Sequence, residues 1–102
     1  MNEAEKIDLY AACLVLWGEH AQIQMFAEEC CECAVEALHM LRDDKSKWDV
    51  RKFADEVADV LIMAEQIQLM LPGRIVQQAM YDKLLRLKLR VEKAGKAIKE
   101  AE

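Results

Sequence analysis

An all-α fold follows from three features of the sequence. Only three glycines and one proline interrupt the 102 residues. β-Branched residues never form a sustained alternating run, and apolar residues recur three and four positions apart, as on a helix face. The stretches between interruptions are of helix length and their links are short, so a four-helix bundle is the expected architecture. At this length the chain is expected to form one domain, residues 1–102.

The elements can be justified in order. The first helix is expected over residues 3–17, where Ile7, Tyr10, Ala11, Leu14 and Trp17 are spaced for one buried face, and Gly18 is placed to end or kink it. A second helix runs on to about Leu41. The polar loop RDDKSKWD follows, in which Ser46 and Asp49 have the spacing of an N-terminal capping box. A third helix reaches Leu71, and Pro72-Gly73 makes the next turn. The fourth is expected from about Ile75 to Ala94, after which Gly95 and the polar tail KAIKEAE are expected to fray.

Charge is divided unevenly along the chain. The net charge of −5 combines −9 over residues 1–70 with +4 over residues 71–102. An acidic chain is a poor candidate for coating nucleic acid, whereas a local basic strip suits the phosphates of a small ligand. No apolar run approaches the ~20 residues that span a bilayer, and the N-terminus MNEAEKID is charged, so no membrane role is expected. Cys30, Cys31 and Cys33 lie too close together to staple distant parts of a fold, and with Cys13 they fit a reduced, cytoplasmic setting. The CxxC within CCEC falls mid-helix, without the turn that activates a thiol, so these cysteines read as small packing residues.

One pattern occurs twice. FAEECCE at residues 26–32 returns as FADEVAD at 53–59, pairing Phe26 with Phe53, Glu29 with Glu56 and Glu32 with Asp59. At ~100° per residue, Phe26, Cys30, Cys33, Ala37 and Leu41 line one face of the second helix, with Glu29 and Glu32 along its border. Phe53, Val57, Val60, Leu61 and Ala64 form the matching face of the third, bordered by Glu56 and Asp59. Antiparallel packing across a short loop would bring the two pairs together. One pair of acids at i and i+3 is ordinarily a solvated helix face. Two matched pairs at the edge of one core repel one another unless a cation lies among them, and hard oxygen ligands suit Mg²⁺ or Mn²⁺. Glu28 points further from the core, as an outer group, a base or an exposed acid.

These residues resemble a family. EECCE at 28–32 followed by EVAD at 56–59 is similar to the EExxE…ExxD signature of the MazG-like all-α nucleoside triphosphate pyrophosphohydrolases, a resemblance spanning roughly residues 20–90. It implies Mg²⁺-dependent hydrolysis of a nucleoside triphosphate to monophosphate and pyrophosphate. By that resemblance Glu29, Glu32, Glu56 and Asp59 are metal ligands, with Glu28 and Glu29 catalytic. Gln24 resembles a substrate-facing glutamine, and Lys83 and Arg90 fit a K-x-x-x-N-x-x-R pattern that holds phosphates. Leu87 stands where that pattern has Asn. Relatives build their sites at subunit interfaces, which implies a homodimer or a dimer of dimers.

The residues support part of this independently. Lys83, Arg86, Arg90 and Lys93 recur at helical spacing as a basic stripe, which is either a phosphate grip or a solvated face. Met80, Leu84, Leu87 and Val91 form an inner stripe of the fourth helix, while Leu85 and Leu89 emerge on another side, to be covered by a second copy or by packing under the first helix. Two other readings stay open. Glu36 and His39 make an ExxH of the kind used by di-iron carboxylate bundles, which need it twice, and the third helix has no histidine. A non-catalytic helical interaction module is the other, supported by Leu87.

Overall fold

The computed structural model describes residues 1–102 and is all-helical: α1 (Glu3–Arg42), a 3₁₀ turn (Lys45–Lys47), α2 (Val50–Met70) and α3 (Ile75–Ala101). Two compact units result, residues 1–70 and residues 71–102.

α1 begins at a made cap. The Asn2 side chain accepts from the Glu5 N–H at 2.8 Å, Glu3 and Glu5 lie at the positive end of the helix dipole, and His39 and Arg42 occupy the last turn. Gly18 then interrupts the helix without a loop. Its φ of 83° and ψ of 163° belong to a region essentially reserved for glycine, so the chain changes direction at a single residue. Residues 3–17 and 19–42 are therefore two helical segments, separated where the sequence placed a boundary.

The break decides how unit 1 packs. Residues 19–42 lie antiparallel to α2, with Glu36 paired to Lys52 near the connecting loop. Continued straight, α1 would run past the end of α2. Turned at Gly18, residues 3–17 come back to α2, where the Tyr10 hydroxyl donates to Glu65 Oε2 at 2.6 Å and Lys6 Nζ lies 3.2 Å from the same oxygen.

The loop uses different caps from the box expected at Ser46 and Asp49. Asp44 accepts from the Ser46 N–H and hydroxyl, stabilising the 3₁₀ turn. Asp49 itself caps α2, its side chain accepting from Lys52 N–H at 3.1 Å and its carbonyl from Phe53 N–H. The short carboxylate immediately before the first helical residue is the better acceptor, and Ser46 is drawn into the tighter turn. Trp48 anchors the loop by donating its indole N–H to the Asp43 carbonyl at 3.2 Å.

The core of unit 1 is thin. Tyr10 and Met63 are its buried apolar residues, and Gln22 and Gln66 are buried beside them. Two expected faces are corrected at their edges. Leu41 and Leu61 are exposed; on the first segment Tyr10 and Leu14 face inward as expected, joined by Cys13, whereas Ile7, Ala11 and Trp17 are exposed. A helical face is about three residues in seven, and the return at Gly18 rotates which three meet α2.

In unit 2, Gly73 has φ 55° in the turn before α3, and Ile75 N–H donates to the Pro72 carbonyl. The expected fraying from about residue 95 does not occur: α3 continues through Gly95 to Ala101. An isolated glycine in a helix costs only about 1 kcal/mol and does not force an end. No residue of α3 is buried. No helix of the chain is long and apolar enough to cross a membrane.

Candidate metal centre

The register between the second segment of α1 and α2 can be followed pair by pair. Each step back along α1 is matched by a step forward along α2: 36 meets 52, 32 meets 56, and 29 meets 59. The repeated acidic pattern thus folds onto itself, as antiparallel packing of two similar helices requires. Glu29, Glu32 and Glu56 each offer a carboxylate oxygen, and these oxygens lie within 4.8 Å of one another. Asp59 lies close enough for its charge to act on both Glu29 and Glu56.

The cluster is electrostatically unfavourable as it stands. Burial, then the charges of Glu32, Asp59 and Glu56, push the Glu29 carboxyl above the ordinary carboxylate range. Glu56 is raised in the same way, by burial and then by Glu32, Asp59 and Glu36, with Lys52 opposing. Glu29 Oε2 and Glu56 Oε2 are buried and have no hydrogen-bond partner. A buried carboxylate oxygen without a donor calls for a proton or a cation. Three all-oxygen ligands from two rigid helices, with two oxygens unsatisfied, fit a hard divalent cation such as Mg²⁺ or Mn²⁺.

The surroundings of the cluster are asymmetric. Toward the loop, Glu36 Oε1 lies 3.1 Å from Lys52 Nζ and 3.4 Å from His39 Nδ1. That carboxylate already has cationic company, which separates it in chemistry from the three acids next to it. A cleft of about 260 Å³ lined by Cys31, Glu32, Val35, Glu36 and Glu56 opens beside the site.

No protein-family model, curated protein or solved structure matches this chain. What supports a site here is the geometry of these side chains.

The remaining expected residues fall in several places. Glu28 is exposed outside the three-acid group, and Gln24 Nε2 donates to its Oε1 at 3.4 Å. Lys83 and Arg90 belong to unit 2, where together with Arg86 and Leu87 they line a hollow of about 270 Å³. The basic stripe of α3 is thus a local concavity of three cations, and Leu87 is part of its wall.

Sequence reasoning missed two features near the acids. The Glu36–Lys52 pair was legible in principle, since opposite charges stand one turn outside Glu32 and Glu56 on the two helices. The Tyr10–Glu65–Lys6 cluster was not legible, because it depends on the return at Gly18. Its Glu65 carboxyl is held below the ordinary range, first by the Tyr10 hydroxyl and then by Lys6.

Proposed function

We propose that the chain is a metal-dependent nucleoside triphosphate pyrophosphohydrolase, converting a (d)NTP to the monophosphate and pyrophosphate with Mg²⁺, or Mn²⁺ in its place. The observation that carries this reading is the convergence of Glu29, Glu32 and Glu56 from the two halves of the repeated pattern, with unpartnered buried oxygens on two of them. The MazG-like signature read from the sequence falls on these same residues.

In this reading Glu29, Glu32, Glu56 and Asp59 hold the cation. When bound, it supplies the positive charge that lowers the pKa of a coordinated water and offsets charge on the phosphates. The chain's own work is positioning. α1 and α2 fix the carboxylates on two packed helices, with Glu29 and Glu56 half-buried and Glu32 and Asp59 at the exposed border. Glu28, beside the cluster and hydrogen-bonded to Gln24, is the outer acid available to take a proton from attacking water. By the MazG-like resemblance Lys83 and Arg90, which with Arg86 line a hollow of unit 2, are the cations assigned to phosphate.

A homodimer or dimer of dimers completes the proposal. In this reading each protomer contributes its helical segments to a bundle that a second copy completes. Leu16, Leu41 and Leu61 in unit 1, and Leu84, Leu85, Leu87 and Leu89 in unit 2, are exposed in the single chain and would be covered by a second copy. Four free thiols and helices too polar to cross a membrane support a cytoplasmic setting. The same apolar surface favours, as a second reading, a helical interaction module without catalysis. A di-iron centre has less support, because Glu36 of its ExxH is paired with Lys52 and the ammonium repels a metal there.

The test is pyrophosphate release from a panel of ribo- and deoxyribonucleoside triphosphates with Mg²⁺, Mn²⁺ or EDTA. The expected result is monophosphate plus pyrophosphate from at least one substrate, abolished by EDTA. Orthophosphate release leaving a diphosphate, or no turnover of any triphosphate, would sink the proposal.

A further inference from the structure

A second cavity lies further along the same two helices, and nothing in the metal centre uses it. It has a volume of about 420 Å³ and is lined by Cys13, Trp17, Ala21, Gln22, Met25, Met63 and Gln66. That volume is within the ~300–1,000 Å³ in which small ligands are held. The walls are largely apolar, yet two of the most buried residues of the chain, Gln22 and Gln66, are amides in them, each 6% exposed. Gln66 Nε2 has only the thioether of Met63 at 3.6 Å, and its Oε1 is buried without any partner. An apolar cavity with an unsatisfied amide in its wall matches a flat, largely apolar ring that carries donors and acceptors on its edge.

The location narrows the ligand further. The antiparallel register that brings 29 to 59 continues to 25 with 63 and 22 with 66, and all four of these residues line the cavity. Met25 is one helical turn from Glu29, and Met63 one turn from Asp59. At ~1.5 Å per residue, Gln22 and Gln66 lie on the order of 10 Å along the helices from those acids. A nucleoside with its base between Gln22 and Gln66 would reach the carboxylates with its phosphates if its 5′ end pointed along the helices toward Glu29.

We propose that this cavity is a nucleobase subsite, in which the Gln66 amide hydrogen-bonds the edge of the base. The proposal rests on the pyrophosphohydrolase reading and names the residues that would give it base selectivity. Gln66 supplies an acceptor and a donor side by side, which matches a base edge with the complementary pair. The Met25 and Met63 side chains supply polarizable surface for the ring faces. Trp17, 62% exposed at Gly18, is an aromatic face at the cavity wall available for stacking.

The experiment uses nucleosides, which lack phosphates, without added metal, so that binding is read independently of the acids and of turnover. In a Trp48→Phe background, Trp17 is the sole tryptophan and reports on the cavity. Titration with deoxyadenosine, deoxyguanosine, deoxycytidine, thymidine and deoxyuridine should give saturable Trp17 quenching with at least one of them. Equilibrium dialysis with the same labelled nucleosides gives a second measure of binding. Gln66→Leu removes the amide at nearly constant size and relieves an unsatisfied polar atom, so it should fold with an unchanged or higher Tm. It should weaken the preferred nucleoside at least ~10-fold, as loss of a buried hydrogen-bond partner does. Absence of saturable binding of any nucleoside by both methods, or equal Kd values in Gln66→Leu and its parent, overturns the proposal. Pyrophosphate release without nucleoside binding removes the subsite and leaves the enzyme reading intact. Selective nucleoside binding without turnover supports the subsite and counts against the enzyme reading alone.

Discussion

Replacing Glu56 by Gln separates a shared metal centre from a solvated acidic face. Glu56 is half-buried, one of its oxygens is unpartnered, and the charges of Glu32, Asp59 and Glu36 act on it against the single nearby lysine. Glu56→Gln keeps the shape, removes one charge and leaves an amide that donates to its neighbours, so the metal-free protein should melt at a higher temperature than wild type. Divalent metal reverses the order. At ~100 times its Kd a cation adds about 2.7 kcal/mol to the wild type by mass action, which for a unit of this size is a rise of roughly 10–20 °C. The variant, with one ligand fewer, should lose more than half of that rise. The sign of the pH dependence is also determined. Glu29 and Glu56 have native pKa values above the ordinary 4.5, so between 4.5 and those values the native state binds more protons than the unfolded chain. Metal-free stability therefore climbs as pH falls from neutral through 4.5, and the gain is complete only below that value; Glu56→Gln flattens the slope. The assay is a set of melting curves for wild type, Glu56→Gln and Glu3→Gln, in EDTA and in Mg²⁺. Glu3 is an exposed acid paired only with Lys6, and its loss should cost under about 1 kcal/mol in either buffer. If Glu56→Gln and Glu3→Gln behave alike in both buffers, the three carboxylates share no site.

Three further outcomes are expected. Lys83→Ala should lower kcat/KM for the preferred triphosphate by ~10-fold or more, through loss of a charge-assisted contact to phosphate, while Lys99→Ala in the last turn of α3 leaves it unchanged; equal losses would assign the effect to general charge. Gly18→Ala should destabilise the protein by about 1–3 kcal/mol in urea unfolding. An added Cβ meets nothing within 4 Å, so the cost is that of the backbone angles alone, and a neutral result would refute the turn at this residue. Tyr10→Phe should cost about 1 kcal/mol above pH 4.5, a value reduced by the solvent exposure of Glu65, and the gap from wild type should narrow as pH falls below 4.5. Glu65's stabilisation is fully present above its unfolded 4.5 and is lost as pH falls through its lowered native value, the opposite sense to Glu29 and Glu56.

Much of the candidate site was legible as a pattern before any coordinates. FAEECCE and FADEVAD place acids at the same angular border of two helices, and the short loop between them permits only an antiparallel return, so Glu29, Glu32 and Glu56 had to come near one another if the faces packed. What periodicity left open was the register, and with it the Glu36–Lys52 pair that sets the boundary of the metal centre. Caps were read one step off for the same reason: Ser46 and Asp49 have the right spacing, but only the three-dimensional turn assigns Ser46 to Asp44 and α2 to Asp49.

By itself the sequence determined the local terms: helices where glycine and proline are absent, a change of direction at Gly18, a turn at Pro72-Gly73, and a repeated acidic border. These depend on backbone sterics and on the 3.6-residue period, which act over a few neighbours. Tertiary structure alone decided where the first segment went after Gly18. A positive φ permits a change of direction without choosing one, and the return to α2 is selected by contacts 55 residues apart in sequence, Tyr10 with Glu65. That return brings Cys13 and Trp17 into the wall that holds Gln66, and so creates a cavity with an unpartnered amide where the sequence shows only two unremarkable glutamines on separate helices.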